Sequence, residues 1–454
     1  MVQVFAKPEI SYLDKLLGEA CKGVSPSVPP QYPLEGQMAA WLQQTRDRAG
    51  AWVRELEIPT KKDEDWRFTD ISPILDVSFQ APGQVKLDAL DIDAFVLPEA
   101  TDTRLVFVNG VFAPNHSSVA GLPDGVFVGN LGQLPEQLRD RVPNYLGKQQ
   151  GDREVFTALN TAGVTDAAVV WVPKDKIVEQ PIHLLFIASP TEEPILTQRR
   201  CLVVAEAGSA VEIIEHCVTA AIGCPDTPGT IPYLTNTVTE IWVEENAEVN
   251  HTRLQRDGGA AYHIGKTAVG QGRNSRYTCN AVSLGAKLSR HNLEVYQTGE
   301  GTQTNLHGLS LLNGQQLADT HSSIILNHPH GSSNQLHKCI VEDRGRAVFN
   351  GRIFVDREAQ LTNANQLNRN LLLSKNARVD TKPQLEIIAD NVKCAHGATI
   401  SELDSDRLFY LQSRGLDKAS CRNLLIDAFA GEILEKLPVN SLRKILSQCV
   451  ACRM

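Results

Sequence analysis

The sequence predicts a mainly β protein whose centre is a solenoid of stacked coils between helical ends. From about Leu105 to Ile400 helical periodicity nearly vanishes, and short alternating runs follow one another, punctuated by Gly, Asn and Asp. A loose unit also recurs: a turn residue, a small residue, any residue, then an aliphatic. It reads Asn246-Ala247-Glu248-Val249, Glu358-Ala359-Gln360-Leu361 and Asn376-Ala377-Arg378-Val379, with Arg346-Ala347-Val348-Phe349 in shifted register. The spacing is uneven, 12 residues from Ala347 to Ala359 and 18 from Ala359 to Ala377. Uneven spacing suits coils with variable turns better than an evenly repeated propeller. A pair of large β-sandwiches is the structural alternative.

The chain divides into a mostly helical region, residues 1–104, a solenoid core, residues 105–404, and a C-terminal helical domain, residues 405–454. In the first region Met38, Trp41, Leu42, Ala49, Trp52, Val53 and Leu56 recur at helical spacing, and Pro59 stops the run. A charged loop follows, Lys61-Lys62-Asp63-Glu64-Asp65-Trp66-Arg67-Phe68-Thr69, in which Trp66 and Phe68 pin the segment to a core. Gly208-Ser209-Ala210-Val211-Glu212-Ile213 opens a strand of the core. Asn363, Asn365, Asn368, Asn370 and Asn376 read as coil corners, because Asn tolerates turn conformations. Asp417 can cap a helix carrying the apolar stripe Leu425, Ile426, Phe429, Ile433 and Leu437, ended by Pro438. Asn440 can cap a second helix with Leu442, Ile445 and Leu446.

Composition excludes several classes. A net charge of −9 leaves nothing to neutralise a phosphate backbone, which argues against nucleic-acid binding. No apolar run approaches the roughly 18 residues of a membrane span. The start, Met1-Val2-Gln3-Val4-Phe5-Ala6-Lys7-Pro8-Glu9, lacks the character of a signal peptide. Ten scattered cysteines form no disulfide framework, so reduced thiols in the cytoplasm are the expectation.

Weaker motifs fall away. Gly259-Ala260-Ala261-Tyr262-His263-Ile264-Gly265-Lys266-Thr267 has five residues between its glycines where a phosphate loop needs four, and strand follows instead of helix. The chain is therefore not expected to hydrolyse nucleotide. His307, His321, His328, His330 and His337, near Cys339, read as solvated histidines on coil corners. Cys449-Val450-Ala451-Cys452 reads as a helix end, and His216-Cys217 with Cys224-Pro225 has no second half for a zinc site. No serine sits in a nucleophile elbow.

The most informative stretch is Lys393-Cys394-Ala395-His396-Gly397-Ala398-Thr399. In a strand, Cys394 and His396 share one face, about 6–7 Å apart at Cα. On spacing alone a packed cysteine beside a hydrogen-bonded histidine is the ordinary reading. Thiol and imidazole together also suit iron, zinc or sulfur chemistry. Two same-face ligands cannot close a tetrahedral site, however, so a partner must bring the remainder.

The run Asn370–Ile387, then 393–399, then Phe409-Tyr410-Leu411-Gln412-Ser413-Arg414-Gly415, resembles the SufD family, a scaffold component of the Suf iron–sulfur cluster assembly system. Residues 61–69 and Phe156-Thr157-Ala158-Leu159-Asn160 are similar to further family signatures. The resemblance implies a right-handed parallel β-helix between helical ends. It implies pairing with a related SufB-like subunit, docking of a SufC-like ABC-type ATPase on the C-terminal helices, and sulfur supplied indirectly by a cysteine desulfurase system. Alone, the chain would form a homodimer. The family's functional histidine corresponds to His396, with Cys394 beside it. The ATPase-docking region would include Phe409, Tyr410, Arg414, Gly415, Asp427 and Phe429. No cofactor would bind stably to the isolated chain; iron or an iron–sulfur cluster would bind transiently at the partner interface. A non-enzymatic scaffold is the resulting expectation. Its rivals are a β-helical carbohydrate-active enzyme and the SufB-type paralogue, which carries a glutamate where this chain has Gly397.

Overall fold

The computed structural model describes residues 11–22, 33–83, 92–190, 192–220 and 229–452. The amino-terminal segment read above for targeting signals, and Cys224-Pro225, lie outside the described residues. Among the described residues the strands form two sheets, one of eleven strands and one of nine, and successive core strands alternate between them. Every core pairing from Ile182 onward is parallel, as a solenoid requires of strands one coil apart. The outcome is a parallel β-solenoid, and the sandwich alternative falls.

Turn chemistry sets the corners. Asn246 and Asn274 stand at φ 58° and 54°, in the left-handed region that Asn tolerates better than branched residues. Behind them Ala247 is wholly buried, its small side chain letting the backbone fold over the core. Val249, Tyr277, Cys279, Leu306 and Ala364 face inward and join one apolar cluster running through the lumen. Burying each large aliphatic contributes about 1.5–3 kcal/mol.

The Asn-rich run departs from expectation. Asn363, Asn365, Asn368 and Asn370 lie within the strand Asn363–Leu372, and of the five only Asn376 sits in a turn. Asn368 and Asn370 point inward and are joined by one hydrogen bond: Asn370 Nδ2 donates to Asn368 Oδ1 at 2.6 Å and to the Thr399 carbonyl at 3.0 Å. The histidine reading is corrected likewise. His307, His321 and His337 lie in strands, and only His328 and His330 occupy a turn. His337 is buried in the lumen, where desolvation lowers it to about 4.

The core also contains helices where the sequence pattern indicates strands. Phe156-Thr157-Ala158-Leu159-Asn160 belongs to the helix Val155–Gly163, every residue of which is buried. Glu154 caps it, accepting from the Phe156 and Thr157 amides. The helices Tyr12–Lys22 and Gly36–Glu55 pack around it on the outside of the nine-stranded sheet.

At the other end, Asp404 caps the helix Ser405–Ser413 and Asp417 caps Lys418–Leu434. The left-handed Gly415, φ 93°, makes the bend between them. Ile426, Ala430, Ile433, Leu434 and Leu437 pack on Ile214, Leu254, Val282, Leu309 and Leu336 of the eleven-stranded sheet. Asn440 is the first residue of the last helix rather than its cap; Glu99 serves instead, accepting from the Ser441 amide at 2.9 Å.

Candidate functional site at the open end of the solenoid

The two ends of the solenoid differ. At the start, Val111–Phe112 and Ser118–Val119 pair antiparallel with Thr103–Val108, closing that edge. At the finish, Arg378–Ile387 is the last strand of one sheet and Lys393–Glu402 the last of the other. Among the described residues neither has a neighbouring strand on its outer edge, so both present unpaired backbone groups. Lys382, Pro383 and Lys393 on these strands are residues that discourage indiscriminate edge pairing.

Cys394 and His396 lie on the terminal strand Lys393–Glu402. Their register partners one coil inward are Ala364 and Gln366, both buried on the lumenal face. The alternation of a strand therefore turns Cys394 and His396 toward the same open mouth of the lumen. Cys394 is half-buried and packs on the lumenal cluster, while His396 is exposed. Burial pushes the Cys394 thiol up, with the Ala364 backbone hydrogen bond acting in the opposite sense. Among the described residues no group of three or more His, Cys, Asp or Glu could hold a metal ion.

Behind this mouth the lumen is polar in a way the sequence reading missed. Glu215 and His251 face each other at 3.3 Å, and Thr239 Oγ1 donates to Glu215 Oε2 at 2.8 Å. Burial disfavours charge on both. Hydrogen bonds to Cys279 and Glu215 nonetheless hold His251 up at about 9, and those from His251 and Thr239 hold Glu215 down at about 2. Further along, His263 Nδ1 lies 2.9 Å from Asp257 Oδ2, and its Nε2 lies 2.6 Å from Arg253. The signal was present as His251, Arg253, Gln255 and Asp257 at every second position, an inward row easily mistaken for a solvated face.

The expected docking residues differ in exposure. Phe409 and Tyr410 are 73% and 57% exposed on the helix Ser405–Ser413, which buries none of its own residues. Arg414 lies over the Tyr410 ring at 5.3 Å, and Gly415 follows at the bend. Asp427 is exposed on the next helix. Phe429 turns instead to the solenoid, its ring centroid 4.4 Å from Lys338 Nζ. Cys449 is half-buried near Arg256, and Cys452 is exposed at the helix end.

The fold is thus a parallel β-solenoid with helical ends, carrying a thiol–imidazole pair on its last coil. The family comparison agrees. Residues 186–429 match the model of the SUF system FeS cluster assembly SufBD core domain, and residues 31–184 match the SufBD protein N-terminal region. The chain belongs to the SufBD family of iron–sulfur cluster assembly proteins. It is 49% identical to an iron-sulfur cluster assembly SufBD family protein of Synechocystis sp. over 93% of both chains. It is 39% identical to the chloroplastic protein ABCI7 of Arabidopsis thaliana, over 88% of this chain and 84% of the relative. Identity to the SufD protein of Escherichia coli is 30%, over 85% and 87%. The SufD-type resemblance read from the sequence is thereby borne out. Among the described residues no helix is long and apolar enough to cross a membrane.

Proposed function

We propose that this chain is a non-enzymatic scaffold that supplies half of a cluster-assembly site. The observation that carries the proposal is the pairing of Cys394 and His396 at the mouth of the lumen, on the unpaired edge of the last coil. Two ligands leave a tetrahedral centre open, and two free strand edges offer a place for a second solenoid to add its own. A SufB-like subunit is the partner whose fold matches that edge. Iron or a nascent iron–sulfur cluster is then a transient cargo of the joint site, not a group the isolated chain retains. Sulfur arrives from a cysteine desulfurase system, in the cytoplasm where the thiols stay reduced.

A SufC-like ATPase docks on the helix Ser405–Ser413, on which Phe409 and Tyr410 are large exposed aromatics. Nucleotide hydrolysis belongs to that partner. The stretch 259–267 lies largely in the strand Ala261–Gln271, not at the helix N-terminus that holds phosphate. Co-expression with a SufB-like subunit and a SufC-like ATPase, followed by pull-down, tests the reading. Recovery of both partners is expected; failure to co-purify with either overturns it.

A further inference from the structure

We infer that Gln366 is a positioning residue for His396, fixing which ring nitrogen carries the proton. This deepens the cluster-assembly reading and rests on it for its purpose. Gln366 stands in register with His396 one coil inward, about 4.8 Å away at Cα, and is 2% exposed. Its amide belongs to a directional row. Gln366 Nε2 donates to Gln335 Oε1 at 2.9 Å, and Gln335 Nε2 donates to Ser322 Oγ at 2.7 Å. Each amide thus donates back into the solenoid, and the Gln335 acceptor is taken by the next coil outward.

The last acceptor in the row is Gln366 Oε1, which is buried and receives no hydrogen bond among the described residues. Leaving a buried carbonyl unpaired is unfavourable, so a donor is favoured there. The register neighbour one coil toward the open end is His396. An imidazole N–H donated to Gln366 Oε1 leaves the other ring nitrogen unprotonated, its lone pair free toward the mouth. That is the state a metal-binding histidine must adopt. Gly351 keeps the row in place from the opposite sheet: a Cβ there would lie 2.4 Å from Gln366 Nε2.

The test is nitrogen NMR of the full-length chain labelled with 15N-histidine, at about pH 8.5, where an ordinary imidazole is neutral. The His396 signals are assigned by their loss in His396→Gln. In the unsubstituted chain, the two ring nitrogens are expected at well-separated protonated and unprotonated positions. Gln366→Met, which keeps volume but removes the acceptor, should draw them toward a common average. Gly351→Ala should do the same without touching His396's neighbour chemically. Gln366→Glu retains an oxygen acceptor and should restore the separation.

Averaged signals in the unsubstituted chain, or separated signals in a folded Gln366→Met protein, overturn the proposal. No iron, sulfur or partner is needed for this readout, so its failure leaves the cluster-assembly reading standing. A fixed tautomer combined with undiminished cluster yield in His396→Ala sinks that reading alone.

Discussion

The carboxylate of Glu215 lies 3.3 Å from the imidazole of His251 inside the solenoid, with both side chains sealed from water. An ion pair so placed is held by its hydrogen bonds, because neither charge has solvent to turn to. It ties two neighbouring strands of one sheet together where a larger aliphatic would otherwise fill the lumen.

Stability should therefore follow a defined pH window. His251 sits near 9, above its ordinary 6.5, so its contribution is complete below 6.5 and is lost as pH rises through 9. Glu215 sits near 2, below its ordinary 4.5, so its share is complete above 4.5 and is lost as pH falls through 2. The pair is fully stabilising between 4.5 and 6.5. Urea midpoints should fall between pH 6.5 and 9 by the equivalent of about 3 kcal/mol. His251→Gln should flatten that slope.

The C-terminal helices should loosen when one buried ammonium is removed. Lys338 Nζ donates to the Phe429 carbonyl at 2.8 Å and pairs with Glu432, while its own side chain is 1% exposed. Lys338→Met should cost about 1.5–3 kcal/mol, the scale of a hydrogen bond to a charged group. Hydrogen exchange should accelerate first in residues 418–434.

The charged strap near the amino terminus should depend on Trp66. Arg290 stacks over its ring at 3.8 Å, donates to the Asp65 carbonyl at 2.8 Å and pairs with Asp319, to which Thr69 also donates. Trp66→Ala should cost about 3–5 kcal/mol. Amides of residues 64–69 should then exchange faster than those of the distant solenoid coils.

Phe409 and Tyr410 should matter for partners and not for folding. Replacing both by Ser should leave the urea midpoint within about 0.5 kcal/mol. Pull-down of a SufC-like ATPase should be lost. Retention of the ATPase, or a collapse of stability, contradicts the docking role.

The sequence made the solenoid legible through its short alternating runs, and Asp417 through its capping position. Cys394 and His396 were legible because strand periodicity is fixed at two. What escaped did so for physical reasons. A lumen usually reads as aliphatic, so the inward row His251, Arg253, Gln255 and Asp257 carried no signal for burial. Asn368 and Asn370 looked like corners because turn propensity ignores the amide pairing available inside a stack. The helix Val155–Gly163 was hidden because all its residues are buried, which erases the amphipathic stripe.

On the proposal above, the mouth of the last coil is half of a cluster-assembly site. That role is tested most directly by the iron–sulfur absorbance of the purified complex with its SufB-like and SufC-like partners, comparing His396→Ala with the unsubstituted chain. The variant complex is expected to assemble in full while its cluster yield falls about tenfold or more. An assembled variant complex with undiminished absorbance would contradict it.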